Sequence, residues 1–511
     1  MKKRKKSGFD WLFLIVLLVS VLIITFSIYM AVKDYLPQKT KFNTEVDEFS
    51  GIVVRAKENP GMYFDVEAYM KEDEAYIFLP ETADESELIF YLTDEDGALL
   101  KRVQHDFTEA DIEICGINVT VMKSDLPSIN LGIYDEYPAL EDVEADKDHN
   151  VSTKAYFEMD DYEGNIIDGV VKMRGRGNTS WKEDKKSYQI KFEKSTDLLN
   201  MGEAKTWVLL ANAGDFSLLR NEVFLNLAAD MGMPYTAEIK EVNLFINGEY
   251  RGVYSLAEKV ENAKNRVELG DGDYLYRIGM DADGFSFLAY LNEDAEGEGN
   301  FKKLYGELRD VRGSETIKRS EQYLIDAMEQ LYDSKSDLSL LDVESVAKYY
   351  WLQEFSKTTD PTGRSVYLYW ISSEGKMYMG PAWDYDRTAG IIEMPFLEED
   401  YLWPTGWTAR ARDYYPALLK NETFLEVMKD VYENGVKEAF EKAADEVADR
   451  AYNIEYDAEM NFIRWDVLEE EESNKVAEVY GDNSWDSQIE WLEDWLTMRC
   501  DWIEEEMEEL D

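Results

Sequence analysis

Cysteine and histidine are almost absent from this chain: 511 residues carry two of each, Cys115, Cys500, His105 and His149. Two cysteines so far apart make no disulfide framework, and no CxxC or metal-knuckle spacing exists. Both histidines precede the segments in which chemistry-bearing motifs accumulate. A Ser-His-Asp hydrolase, a Cys-His protease or a histidine-ligated zinc centre would need a histidine among those motifs, so these classes are excluded. Positive charge is also scarce, with 54 Lys and Arg against 107 Asp and Glu, a formal net charge of -53. Such a surface repels nucleic acid and favours cations, so no nucleic-acid partner is expected. The chain is nevertheless 45% hydrophobic and 13% aromatic, enough to fill a sizeable core.

Only one long apolar run is present, Trp11 to Val32, preceded by the basic cluster Lys2 to Lys6. Its length matches the roughly 20 residues that span a bilayer, and it exceeds the roughly 7 to 15 of a cleaved signal core. The reading is a cytoplasmic tail at 1–10 and an uncleaved transmembrane anchor at 11–32. The positive-inside rule then places the remainder in an extracytoplasmic position, at the cell membrane; a cleaved signal would leave that compartment unchanged. A polar linker follows at 33–50. Strand-like runs at Ala75–Pro80, Glu87–Thr93 and Glu113–Met122, separated by acidic turns, predict a small β-sandwich-like module over 51–125. The larger domain, 126–511, opens with alternating strands and ends in acidic amphipathic helices. Ser217 to Gly232 reads as a helix, and EIKEVNLFINGEYRGVYSLAEKV reads as a hairpin turning at Asn247-Gly248. The fold class is therefore α+β.

Four segments carry candidate chemistry. In MRGRGNTSWKEDKKSYQIKF a glycine-rich turn joins two strands and Lys191 sits on the second. Glycines let backbone N–H groups approach phosphate oxygens, and a neighbouring lysine can reach the same group; an ordinary polar hairpin with an exposed lysine has the same pattern. Glu258 interrupts the apolar GVYSLAEKV and is a partner for a buried base or a solvent-facing acid. Asp360 ends WLQEFSKTTD, and Asp384 and Asp386 follow a strand in MYMGPAWDYDRTAG. Two aspartates at the turns of a hairpin can aim carboxylates at one hard cation, while an aspartate ahead of them can orient or deprotonate a hydroxyl. Each could equally cap a turn beside Pro361 or Trp383.

In their order, RGRGNTSW, KKSYQIKF, WVLLANAGDFSLLRNEVFLNLAADMGMPY, VNLFINGEYRGVYSLAEKVE and GPAWDYDRTAG resemble the spore-coat protein H (CotH) kinase family, from about Leu126 to EWLEDWLTMRCDWI at the C-terminus. The resemblance implies a divergent protein-kinase-like domain of bacterial origin that transfers phosphate from ATP, with Mg2+ or Mn2+, to Ser or Thr of secreted or cell-surface proteins. It assigns Asp360 as the catalytic aspartate, Asp384 as the metal aspartate with Asp386 beside it, and Lys191 with Glu258 as the phosphate-pairing lysine and its acidic partner, although Lys185 and Lys186 lie close by. Arg174, Gly175, Gly177, Asn178 and Ser180 become the nucleotide-binding turn. Kinases carry an asparagine five residues after the catalytic aspartate; here Ser365 stands there, a weaker metal ligand. A second reading follows from that departure, a catalytically weak pseudokinase serving as a surface assembly or adhesion scaffold.

Overall fold

The computed structural model describes residues 40–41, 46 and 48–509 apart from 108–110, 161–163, 179, 282–283, 293–294, 302–307, 313–314, 364, 392–400 and 469–473. The chain divides into two compact units, Met1–Lys123 and Ser124–Asp511.

In the first unit Gly51–Val54, Val66–Glu67, Leu88–Thr93 and Leu99–His105 pair antiparallel, and a second, mixed sheet joins Thr40–Lys41, Ile112–Ile114, Ile117–Lys123, Glu74–Leu79 and Tyr69–Lys71. Ile52, Val54, Phe90 and Leu92 alternate into its interior, as do Ile77, Leu79 and Val119. The run read as one strand at Glu113–Met122 is broken by a two-residue turn. Cys115 and Gly116 both have positive φ, 51° and 90°, the backbone that a tight hairpin turn requires.

The second unit begins with seven strands: β1 (Ser128–Ile133), β2 (Ser152–Asp160), β3 (Ile166–Arg176), β4 (Ser187–Thr196), β5 (Ala204–Leu210), β6 (Ile239–Ile246) and β7 (Glu249–Glu258). Their order is β5-β4-β3-β2-β1-β6-β7, and β7 pairs back onto β5, with Trp207 opposite Glu258 and Leu209 opposite Leu256. The sheet is thus a closed barrel, with β1 and β6 parallel and the remaining pairs antiparallel. Alternation explains its filling. Ile129, Leu131, Phe157, Val171, Met173, Tyr188, Ile190, Trp207, Leu209, Leu244, Tyr254 and Leu256 form one buried cluster inside, whereas Val208, Leu210, Val253 and Ala257 point the other way, into the helical core. The β6–β7 turn at Asn247-Gly248 has φ of 54° and 82°, and Asn247 Oδ1 accepts the Ile133 N–H at 2.7 Å, pinning the turn to β1.

Beyond the barrel, strands β8 (Tyr274–Asp281), β9 (Gly284–Asn292), β10 (Ala295–Phe301), β11 (Leu308–Arg312), β12 (Val366–Ile371) and β13 (Lys376–Met379) form a sheet in the order β11-β10-β9-β8-β12-β13. The helices include α1 (Leu140–Ala145), α2 (Arg220–Asp230), α3 (Val343–Ser356), α4 (Glu455–Arg464) and α5 (Trp485–Glu509), of which α2 and α3 hold the loop described below.

The β5–β7 pairing is what closes the barrel. One expectation needs correction: the N-terminal transmembrane helix is not supported. Residues 11–32 lie outside the described residues, and among the described residues no helix is long and apolar enough to cross a membrane. Among the described residues Cys115 and Cys500 are in no disulfide.

Candidate functional site

The loop from Asp384 to Ala389 follows β13 and is fixed at nearly every residue. Asp384 is exposed, with φ of 74°, a left-handed backbone that Asp and Asn tolerate best among non-glycine residues. Its Oδ2 accepts the Ser365 hydroxyl at 2.6 Å. The Tyr385 N–H goes to Asn221 Oδ1 at 2.9 Å, and its phenol accepts Gln353 Nε2 from α3 at 2.8 Å. Arg387 reaches Glu183 at 3.1 Å. The Thr388 and Ala389 carbonyls accept Arg220 Nε at 2.9 Å and Nη2 at 3.1 Å, and the Ala389 N–H donates to Ser356 O at 2.8 Å.

Arg220 is therefore a clamp. It is fully buried and paired at 2.6 Å with Asp215, which is 1% exposed. Asp215 also accepts the Arg220 N–H at 2.7 Å and the Ser217 hydroxyl at 2.6 Å. Asp215 thus satisfies the first N–H of α2, and the helix read from Ser217 begins at Arg220. A group held by so many fixed partners is pre-organised, with little freedom left to lose on binding.

Asp386, half-buried in the same loop, has its carboxyl pushed up from the usual range by withdrawal from water and by the negative charge of Asp384, with Arg387 opposing. Arg176 ends β3 facing this loop. Its guanidinium lies over the Trp383 ring at 5.4 Å; burial pulls it below its ordinary value against the attraction of Asp384, Tyr367 and Asp386. Asp360 lies four residues beyond the end of α3, half-buried, its N–H directed at Thr358 Oγ1 at 3.4 Å. The Asp360 and Asp384 segments are therefore tied at two points, Ser365 to Asp384 and Ser356 to Ala389.

The glycine-rich turn leaves the β3–β4 ladder after Arg176 pairs with Ser187. Arg174 donates to Gln189 at 3.2 Å. A Cβ on Gly175 would fall 2.3 Å from the Trp181 ring, and Gly177 has φ of 110°, so both positions demand glycine. Asn178 is exposed, its carbonyl accepting the Trp181 N–H at 3.3 Å, and Ser180 opens the short 3-10 turn Ser180–Lys182.

Lys191 and Glu258 are not brought together. On β4 the residues flanking Lys191, Ile190 and Phe192, point into the barrel, so Lys191 is exposed outside it. Glu258 continues the opposite face, that of Tyr254 and Leu256. There it bonds Arg266 and accepts the Glu238 N–H at 2.9 Å. Burial raises its carboxyl to about 7. The buried lysine is Lys185, donating to Asn461 Oδ1 at 2.8 Å and Val253 O at 2.5 Å, with burial lowering its amine to about 7.

Sequence reasoning missed Arg176, Asp215, Arg220 and Asn221. Arg176 shares a strand face with Arg174, two residues away, but nothing local says that its strand ends over Trp383. Carboxylate and hydroxyl oxygens from Asp384, Asp386 and Ser365 suit a hard cation. Among the described residues no group of three or more His, Cys, Asp or Glu that could hold a metal ion is present.

Barrel, helical core and a clamped two-aspartate loop define an α+β domain. A family model described as CotH kinase protein matches residues 173–503, well over half of the chain, and the chain belongs to that family. The family in general implies ATP and a divalent metal. No curated protein matches the chain.

Proposed function

We propose that the Ser124–Asp511 unit is a protein kinase that moves the terminal phosphoryl group of ATP to serine or threonine hydroxyls of a protein substrate. One observation carries the reading: the Asp360 segment and the Asp384–Asp386 loop are joined through Ser365 at 2.6 Å, with the Arg176 guanidinium facing the same loop. A divalent cation at Asp384 and Asp386 would neutralise phosphate charge. Asp360 accepts the substrate hydroxyl proton as the oxygen attacks phosphorus and ADP leaves. Arg176 supplies a fixed positive charge for the phosphates, the part first assigned to Lys191.

A second reading, a scaffold that has kept the fold without turnover, is favoured by Lys191 and Glu258 lying on opposite faces of the barrel wall and by Ser365 in the asparagine position. The purified full-length chain incubated with labelled ATP and magnesium or manganese separates the two. Phosphate transferred to the chain or to an added protein supports the kinase. No transfer with either metal, together with no metal-dependent ATP binding, overturns it in favour of the scaffold.

A further inference from the structure

His149 lies outside the residues matched by the family model, yet the fold sets its ring against both glycines of the turn. His149 Nε2 is 2.6 Å from the Gly177 carbonyl oxygen. A carbonyl only accepts, so this nitrogen carries a proton. Nδ1 is buried and, among the described residues, without a hydrogen-bond partner. It sits 2.9 Å from the place a Cβ on Gly175 would take. The ring meets Trp181 edge-on, with centroids 4.5 Å apart at 85°.

The ring is itself held. Asp146 accepts the Val151 N–H at 2.6 Å and the Asp148 N–H at 3.1 Å, closing a turn in which His149 adopts φ of 56°. From the other side Lys186 Nζ donates to the Trp181 carbonyl at 2.8 Å and to that of Glu183. The β3–β4 ladder stops at Arg176 and Ser187, so the turn beyond Arg176 is held by local turn bonds and side chains, not by strand pairing.

We propose that His149 is the positioning residue of the glycine-rich turn: its Nε2–H latches Gly177 and so fixes the approach of Arg176 to the Asp384 loop. The consequence for nucleotide rests on the kinase reading; the latch does not. One lost hydrogen bond corresponds to about tenfold in an opening equilibrium. In the full-length chain, His149→Ala should therefore accelerate amide exchange about tenfold in peptides covering 174–186 and leave barrel strands β5 and β7 unchanged. His149→Gln, whose amide N–H can reach the same carbonyl, should restore most of the protection. The apparent Kd for Mg-ATP should rise about tenfold in His149→Ala, with kcat at saturation little changed.

Wild-type exchange rates in His149→Ala would overturn the latch. Failure of His149→Gln to recover protection would also overturn it, by assigning the effect to the packing of Trp181. Faster exchange with unaltered ATP affinity would overturn the positioning role. If the wild type itself binds no ATP, the kinase reading fails and the exchange experiment alone decides the latch.

Discussion

Asp384→Asn isolates charge from shape at the proposed cation position. The residue is exposed, and its φ of 74° is one that asparagine adopts as readily as aspartate. The Ser365 hydroxyl, now 2.6 Å from Oδ2, can donate equally to an amide oxygen. The backbone held by Asn221 and Arg220 is untouched. Stability should therefore move by less than about 0.5 kcal/mol, as for surface changes in general, and the melting temperature by less than about 2 °C. The charge removed is another matter. Two unit charges about 4 Å apart near a protein surface interact by about 4 kcal/mol, and a divalent cation doubles this before desolvation takes its share. Retaining even a third of that sum leaves about 2.7 kcal/mol, or about 100-fold in affinity. Calorimetric titration of the apo chain with Mg-ATP, beside thermal melts of both proteins, reads the two quantities separately. Mg-ATP affinity within threefold of wild type would refute the assignment. A collapse of the melting temperature would instead show that the carboxylate is a structural cap.

Asp360→Ala should lower phosphoryl transfer by about two to four orders of magnitude with Mg-ATP affinity unchanged in the same titration. Ser365→Asn, at a φ of 46° that asparagine tolerates, should lower the magnesium concentration needed for half-maximal transfer without rescuing Asp360→Ala. Arg220→Met leaves Asp215 charged and buried, and urea unfolding should show a loss of about 3 to 5 kcal/mol, part of it recovered by adding Asp215→Asn. Burial raises the Asp457 carboxyl to about 6, so its ionised form is the costly one in the fold; the stability linked to it is present below the ordinary carboxylate value and is lost as pH rises through about 6. Asp457→Asn should accordingly remove up to about 3 kcal/mol of stability loss between pH 4 and pH 7, measured by urea unfolding at each pH.

The sequence offered Glu258 as the partner of Lys191, and it is the register of β4 and β7 in the barrel that separates them. Lys191 falls between Ile190 and Phe192, while Glu258 continues the register of Tyr254 and Leu256; both placements follow from a period of two. Closure of the barrel was not legible, because β5 meets β7 across about fifty intervening residues and no local signal names that partner. The Cys115-Gly116 turn went unread because an uninterrupted apolar pattern on both sides masked it. At the site, the aspartates and Ser365 could be singled out because each lies in a compact motif. Arg176 could not, since its neighbours Trp383 and Asp384 are some two hundred residues away.

That distance also explains why the clamp beneath the loop is made of buried polar groups. Apolar side chains at Asp215, Arg220 and Asn221 could fill the same space, and replacing buried ion pairs in this way is often neutral or stabilising. They could not, however, tell the chain which carbonyl belongs where. Arg220 spends its guanidinium on Asp215, Ser217, Thr388 and Ala389, and Asn221 joins the Tyr385 N–H to Asn212, which continues to Ser255 on β7. Each link is directional, so the loop has one satisfied position relative to the barrel and pays for any other with unpaired buried groups. A cation ligand needs that kind of fixity more than it needs extra stability, because a functional group must be held within about 0.5 Å of its productive position. On this argument Asn221→Leu should cost little in melting temperature relative to Arg220→Met, yet weaken Mg-ATP binding, since it frees the Tyr385 N–H without stranding a charge. Equal losses of stability in the two variants would mean that the network supports the core and not the loop.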